Sequence, residues 1–374
     1  MNTLSARCAF GLLALTAPVC AQNFLELPVT ANPSAELPNY GLYPFAYTNA
    51  HVQMFFDATE VGSSTFTATS ISFRYDGPLP QVGAPGPFAI QRLQIKLGTT
   101  TVAIPEARFA SNLSSPLTTA FDAPVTYLPD PGSASPHPWG APNGSLEFVF
   151  TTPVSISIPP GGWLVADIAM TNNNFFMFGF AHTILDGAAT TGGPLDGTAV
   201  AFGQGCGVTA TAAPATIGSA GLRAPGAAQF VTGTELGANA PVFVIYGLDN
   251  TQSLFGPLPY RLPGTNCDLL VSVDATSLAF ADATGALDSR SFANALVVPA
   301  DPAYANLVIH EQLAALAPGA NSFAVAFSNA QTVTLGSLTP LGRGTYVVGN
   351  GSDANATLAT QVLPFGYAVR LGTQ

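Results

Sequence analysis

Arg92-Leu-Gln-Ile-Lys-Leu97 is the stretch that decides the fold class. Successive side chains of an extended chain point to opposite faces, so Leu93, Ile95 and Leu97 share one side and Arg92, Gln94 and Lys96 the other. The same two-residue period runs through Leu146, Phe148 and Phe150, and through Val154-Ser-Ile-Ser-Ile158. It returns in Phe323-Ala-Val-Ala-Phe327 and Thr332-Val-Thr-Leu335. Each predicts a strand with one buried and one wet face. Trp163-Leu-Val-Ala-Asp-Ile-Ala-Met170 and Val242-Phe-Val-Ile-Tyr246 are apolar on both faces and read as central strands. The 37 glycines and 32 prolines fall mostly between these runs and cut the chain into short strands. Tyr304 to Ala317 fits a helix and a strand about equally, bounded by Pro302 and by Pro318-Gly319. The expected fold is all-β: two β-sandwich domains, jelly-roll or Ig-like, with a strand-forming C-terminal tail.

Residues 1–21 read as a secretory signal peptide. Arg7 precedes an apolar run, Ala9 to Leu15, and Val19-Cys20-Ala21 offers a cleavage site. The run is too short to span a bilayer, and no later segment is long and apolar enough to do so. The expected mature chain starts at Gln22 and works in a secreted or cell-surface location. Cleavage leaves two of the four cysteines, Cys206 and Cys267. In an oxidising compartment such a pair closes a disulfide, worth roughly 4 kcal/mol for a loop of this length in the chain-entropy model. A composition shift around Gly203-Gln-Gly-Cys-Gly207 divides the rest. The expected units are 22–200 and 201–337, with a tail at 338–374 whose Thr345-Tyr-Val-Val348 and Tyr367-Ala-Val-Arg-Leu371 should add strands to a sheet.

Charged residues make up 8% of the 374-residue chain, against roughly 25% in soluble domains generally. The net charge is −11, Lys96 is the one lysine, and no basic stripe occurs. Such a surface repels phosphate backbones, which excludes nucleic acid as a partner. Extracellular glycans or other surface proteins are the partners that remain.

The stretch Gly264-Thr-Asn-Cys-Asp-Leu-Leu-Val-Ser-Val273, together with Gly205-Cys206, Val298-Pro-Ala-Asp-Pro302, Gln312, Asn321, Ser328-Asn-Ala330 and Leu335-Gly336, carries a resemblance. Over about 203–337 the chain resembles a C-terminal module of uncharacterised secreted proteins from planctomycete-like bacteria. Val52-Gln-Met-Phe-Phe-Asp57 and Ile71-Ser-Phe-Arg-Tyr-Asp76 are similar, more loosely, to the N-terminal part of such proteins. The resemblance implies a secreted, β-rich architecture and a Cys206–Cys267 link, and it brings no established activity. The tail after Gly336 departs from that pattern.

No GxSxG, Walker A, HExxH or EF-hand signature is present, and no catalytic residue is nominated. Trp139 and His137, within the Pro/Gly/Ser-rich stretch 129–142, and Tyr127 before it, are the ligand-binding candidates: an aromatic ring on a rigid loop is a stacking platform for sugar. The competing structural reading has Trp139 folding back over an open sandwich end. His51, Asp57 and Glu60 lie close enough in sequence to suggest a metal or acid–base group, but a strand separates His51 and Asp57 by about 20 Å. Phe175-Phe-Met-Phe-Gly-Phe180, with His182 and Asp186, reads as core. Asp167 interrupts an apolar strand and needs a partner, expected among Arg74, Arg92 and Arg108. Asp268, Asp274, Asp282 and Asp288 are the acids that could contribute to a calcium site; no other cofactor is expected. The leading functional expectation is a non-enzymatic cell-surface or extracellular-matrix protein of structural or interaction type. The alternatives are a carbohydrate-binding module and a polysaccharide hydrolase or lyase.

Overall fold

The computed structural model describes residues 23–27, 39–41, 44–45, 47–62, 65–75, 87–128, 139, 145–174, 185–189, 192–292, 295–339, 345–350, 353–363 and 365–374. The signal-peptide reading at 1–21 lies outside them, as do His137, Phe175 to Phe180 and His182. The described chain is all-β, built from several antiparallel sheets. Its one α-helical segment is the single turn Ala58–Val61, and no described helix is long and apolar enough to cross a membrane.

A six-stranded sheet runs in the order Gln361–Leu363, Thr345–Asn350, Ala50–Asp57, Trp163–Asn173, Phe88–Thr100, Thr118–Tyr127. A four-stranded sheet runs Asn23–Leu27, Val369–Thr373, Thr65–Arg74, Ser145–Ser157. The apolar faces of both meet in one buried cluster. Val52, Met54, Leu93, Ile95, Leu97 and Ile168 come from the first sheet, and Ile71, Phe73, Phe148, Ile156 and Leu371 from the second. The alternation in 92–97 therefore has a direct cause, since its three aliphatics lie in this cluster and its three polar residues on the opposite face. Trp163–Asn173 pairs on both sides, as a strand apolar on both faces should.

The tail of the chain returns to these sheets. Thr345–Asn350 pairs with Ala50–Asp57, and Val369–Thr373 lies between Asn23–Leu27 and Thr65–Arg74. Residues 198–334 build a five-stranded sheet in the order Thr198–Phe202, Val325–Thr334, Val308–Leu316, Pro241–Gly247, Ala275–Phe280. Thr216–Gly221 and Ala228–Thr234 belong to a further sheet. Val231, Val242, Val244, Leu313 and Val333 pack in a second cluster between them. Cys206 and Cys267 are joined by a disulfide with a Cα–Cα separation of 5.2 Å, inside a third cluster with Leu270, Ala314 and Phe327. A fourth cluster joins Phe55, Trp163 and Val165 to Ala228 and Phe230, so the early and late sheets share buried surface.

Three sequence readings are refined. Tyr304 to Ala317 is a strand, Val308–Leu316, after a 3-10 turn at Pro302–Tyr304. Phe323 is not in a strand: Asn321 accepts from its backbone N–H at 3.0 Å, Ala324 takes a φ of 56°, and the strand starts at Val325. Val242 to Tyr246 is flanked by strands on both sides, yet Phe243 is 45% exposed.

The later sheets bury several polar side chains, among them one acid. The Glu311 carboxyl is fully buried and accepts from the Gln229 and Gln331 amides at 2.6 Å each. Burial pushes its pKa up to about 7, and Tyr246, buried beside it, is pushed up to about 12.

Candidate functional site

The polar face of the six-stranded sheet holds the site. Register brings its residues together in cross-strand rows. Gln53, Asp167 and Lys96 lie opposite one another in one row. His51, Ala169, Gln94 and Asp122 form the next, and Thr171 faces Arg92 in a third. Ala169 stands at the centre of this array. Its methyl group leaves a gap where every neighbour has a longer side chain, and that gap is the floor of a groove of about 340 Å³. One wall is Phe109, Ala110 and Leu113; the other is 354–357, delivered by the tail. The fourth apolar cluster closes the same sheet face further along, over Phe55 and Val165.

The inner end of the groove is a tight hydrogen-bond network. Gln53 donates to Asp167 Oδ2 at 2.8 Å and to the Phe109 carbonyl at 3.3 Å. Asn112 donates to Gln53 Oε1 at 3.1 Å, so the buried Gln53 amide is satisfied at both ends. The ring nitrogens of His51 face two acceptors: Nδ1 is 2.7 Å from the Ala356 carbonyl, and Nε2 is 3.2 Å from both oxygens of Asp167. The imidazole also lies against Phe109, with ring centres 4.1 Å apart. Burial pushes the Asp167 carboxyl upward, but the hydrogen bonds from His51 and Gln53 and the charge of Lys96 outweigh it and leave it below its ordinary value.

The outer end is more open. Arg92 grips Asp122 with two bonds of 2.7 Å and Gln94 donates to the same carboxylate at 2.8 Å. The Arg92 hydrogen bond is the main reason Asp122 is lowered to about 2. Lys96 stands between the two carboxylates and makes no hydrogen bond or ion pair with any described residue.

One sequence expectation, the partner of Asp167, is corrected here, and the other singled-out residues that the structure describes take definite places. Asp167 is held by His51 and Gln53, not by an arginine; Arg74 instead pairs with Asp186 at 2.8 Å and Arg92 with Asp122. His51, Asp57 and Glu60 do not converge. Asp57 caps the turn Ala58–Val61, accepting from Thr59 N–H at 2.6 Å, while the partner of His51 is 116 residues away. Tyr127 offers no stacking face. It is 6% exposed, packed against Phe45 and Phe88, with its hydroxyl against Asn173. Trp139 is half-buried, its ring centre 5.7 Å from the Arg74 guanidinium and 5.5 Å from that of Arg370, so it sits over cations of its own chain. The four aspartates considered for calcium lie in separate turns with separate donors. Asp268 pairs with Arg261, Asp274 accepts from Ser272 and Leu248, Asp282 from Thr284 and Ala286, and Asp288 pairs with Arg290. Among the described residues no three His, Cys, Asp or Glu side chains are grouped to hold a metal.

Gln53, Gln94, Lys96 and Asn112 were not singled out as site residues by sequence. The available signal was parity: His51 and Gln53, Asp167, and Gln94 and Lys96 are polar interruptions on one face of three apolar strands. Set against models of known protein families and against curated proteins, the chain matches none.

Proposed function

We propose that this is a secreted, non-enzymatic binding protein whose sheet-face groove takes a small polyhydroxylated ligand of the saccharide class. One observation carries the reading: amide, carboxylate, imidazole and cationic side chains from three adjacent strands converge around the bare floor at Ala169. Such a set donates and accepts in several directions at once, while Leu113, Ala110 and Ala356 supply an apolar wall. That combination suits a sugar ring, polar at its rim and apolar on its face. The volume is at the small end for ligand sites, which favours a single unit or chain end over a long polymer.

His51 supports binding over catalysis. Both of its nitrogens are engaged by acceptors of its own chain, so the ring orients Asp167. The groove belongs, in this reading, to a first β-sandwich unit made of residues 22–200 and completed by the tail, with a second at 201–337 held by the disulfide. That disulfide, in a chain whose only other cysteines fall within 1–21, favours an extracytoplasmic location.

A glycan array probed with the exported protein and its Ala169→Leu variant tests the reading. The wild type should retain a defined set of glycans and the variant, with its groove filled, should lose them. Equal retention by both would put the binding elsewhere.

A further inference from the structure

Around the groove the charged groups other than Lys96 have their hydrogen bonds filled from within. Asp122 takes both arms of Arg92 and the Gln94 amide, and Asp167 accepts from His51 and Gln53. Lys96 is the exception. It lies opposite Asp167 in register, and its charge helps to lower both aspartates, yet its ammonium forms no hydrogen bond or ion pair with any described residue. The other cation of the groove, Arg92, holds an aspartate, as do Arg74, Arg223, Arg261 and Arg290 elsewhere. An ammonium carries three donors. Those of Lys96 stand beside a cavity and have no acceptor of the protein's own to fill them.

The rest of the molecule makes this position matter more. A net charge of −11 repels anions at long range, and salt screens that repulsion beyond about 8–10 Å. Selection of an anion therefore falls to a short-range contact, and the groove has one cation whose hydrogen-bond donors are not already filled. We infer that the ligand is an anionic saccharide unit, a uronate or a sulfated sugar, whose charged group docks on Lys96 above the Ala169 floor. The inference rests on the groove being the binding site.

Calorimetric titration of the exported full-length protein at low salt separates the two ideas. The probes are sodium glucuronate, a sulfated glucose and uncharged methyl glucoside. The proteins are wild type, Lys96→Met and Ala169→Leu, with melting curves to verify folding. At least one acidic sugar should bind roughly tenfold or more tightly than methyl glucoside, as expected for hydrogen bonds to a charged group. The two acidic probes identify which anion is preferred. Lys96→Met, which keeps an unbranched apolar stem and removes the ammonium, should erase that preference while leaving weak binding of the neutral sugar. Equal affinity for acidic and neutral sugars, or a preference that survives in Lys96→Met, overturns the assignment of Lys96 and leaves the groove reading standing. No binding of any probe to the wild type, or full binding by a folded Ala169→Leu variant, overturns both.

Discussion

A carboxyl with no access to water is a stability sensor, and Glu311 is placed to act as one. Its pKa rises from an ordinary 4.5 to about 7 on burial, so the folded state keeps its proton over a range where the unfolded chain has lost it. The resulting stability is complete below pH 4.5 and is lost as pH climbs through about 7, a swing of about 3 kcal/mol at most. His310, the preceding residue, works in the opposite sense, because burial lowers its pKa and favours the neutral ring of the folded state at higher pH. Comparing wild type with Glu311→Gln at each pH isolates the carboxyl. The variant should gain in melting temperature relative to wild type as pH rises from 4.5 to 8, and a constant difference would count against the account. Trp139 supplies a second test. Its ring lies within cation–π reach of Arg74 and Arg370 and outside the groove lining. Trp139→Ala should cost about 1 kcal/mol or more of stability and leave glycan binding unchanged. Loss of binding with unchanged melting would instead return Trp139 to the role its loop sequence suggested. That suggestion came from the residue type alone, and a sequence does not tell whether a ring's face is already covered. Asp167 teaches the same lesson: its need for a partner was readable from the apolar run around it, while the partner's identity depended on which strand lay alongside.

Elements were legible to the extent that their cause is local. The period-two runs at 92–97, 146–150 and 154–158 became strands because alternation is a property of a few consecutive residues. Phe323 failed that rule because Asn321, two positions upstream, offers its side chain to the backbone and builds a turn. Pairing partners were not legible at all. The tail was expected to add strands, and it does, but nothing in Tyr367 to Leu371 says that the receiving edge is Thr65–Arg74. That strand makes a further prediction. Val369 and Leu371 are 0% and 1% exposed in the first core cluster. Leu371→Ala should destabilise the protein by about 3 kcal/mol, within the usual range for buried leucine. Removing 340–374 should lower the melting temperature far more or cause aggregation, because the edges of Ala50–Asp57 and Thr65–Arg74 lose their partners. It should also abolish ligand binding, since 354–357 forms one wall of the groove. Thermal melts, light scattering and the glycan array read these outcomes separately.

At the scale of the whole molecule, the described residues divide stability between tertiary burial and the Cys206–Cys267 link. The disulfide closes a loop of 61 residues, and the Cys206→Ala/Cys267→Ala double variant should lose roughly 4 kcal/mol, less if the reduced chain relaxes around the gap. Denaturant titration of oxidised and mutant protein gives that number, and coincident curves would mean that packing alone holds this region. The placement of Val369–Thr373 between Asn23–Leu27 and Thr65–Arg74 has a kinetic meaning as well. Residues 23–27 find no partner in that sheet until a segment some 345 positions later has been made. A ribosome releases the chain from its N-terminus, so this sheet cannot be completed until the tail has been made. Contacts so distant in sequence form slowly. Slow closure keeps the polypeptide threadable for longer, a property that export of the kind proposed above would use.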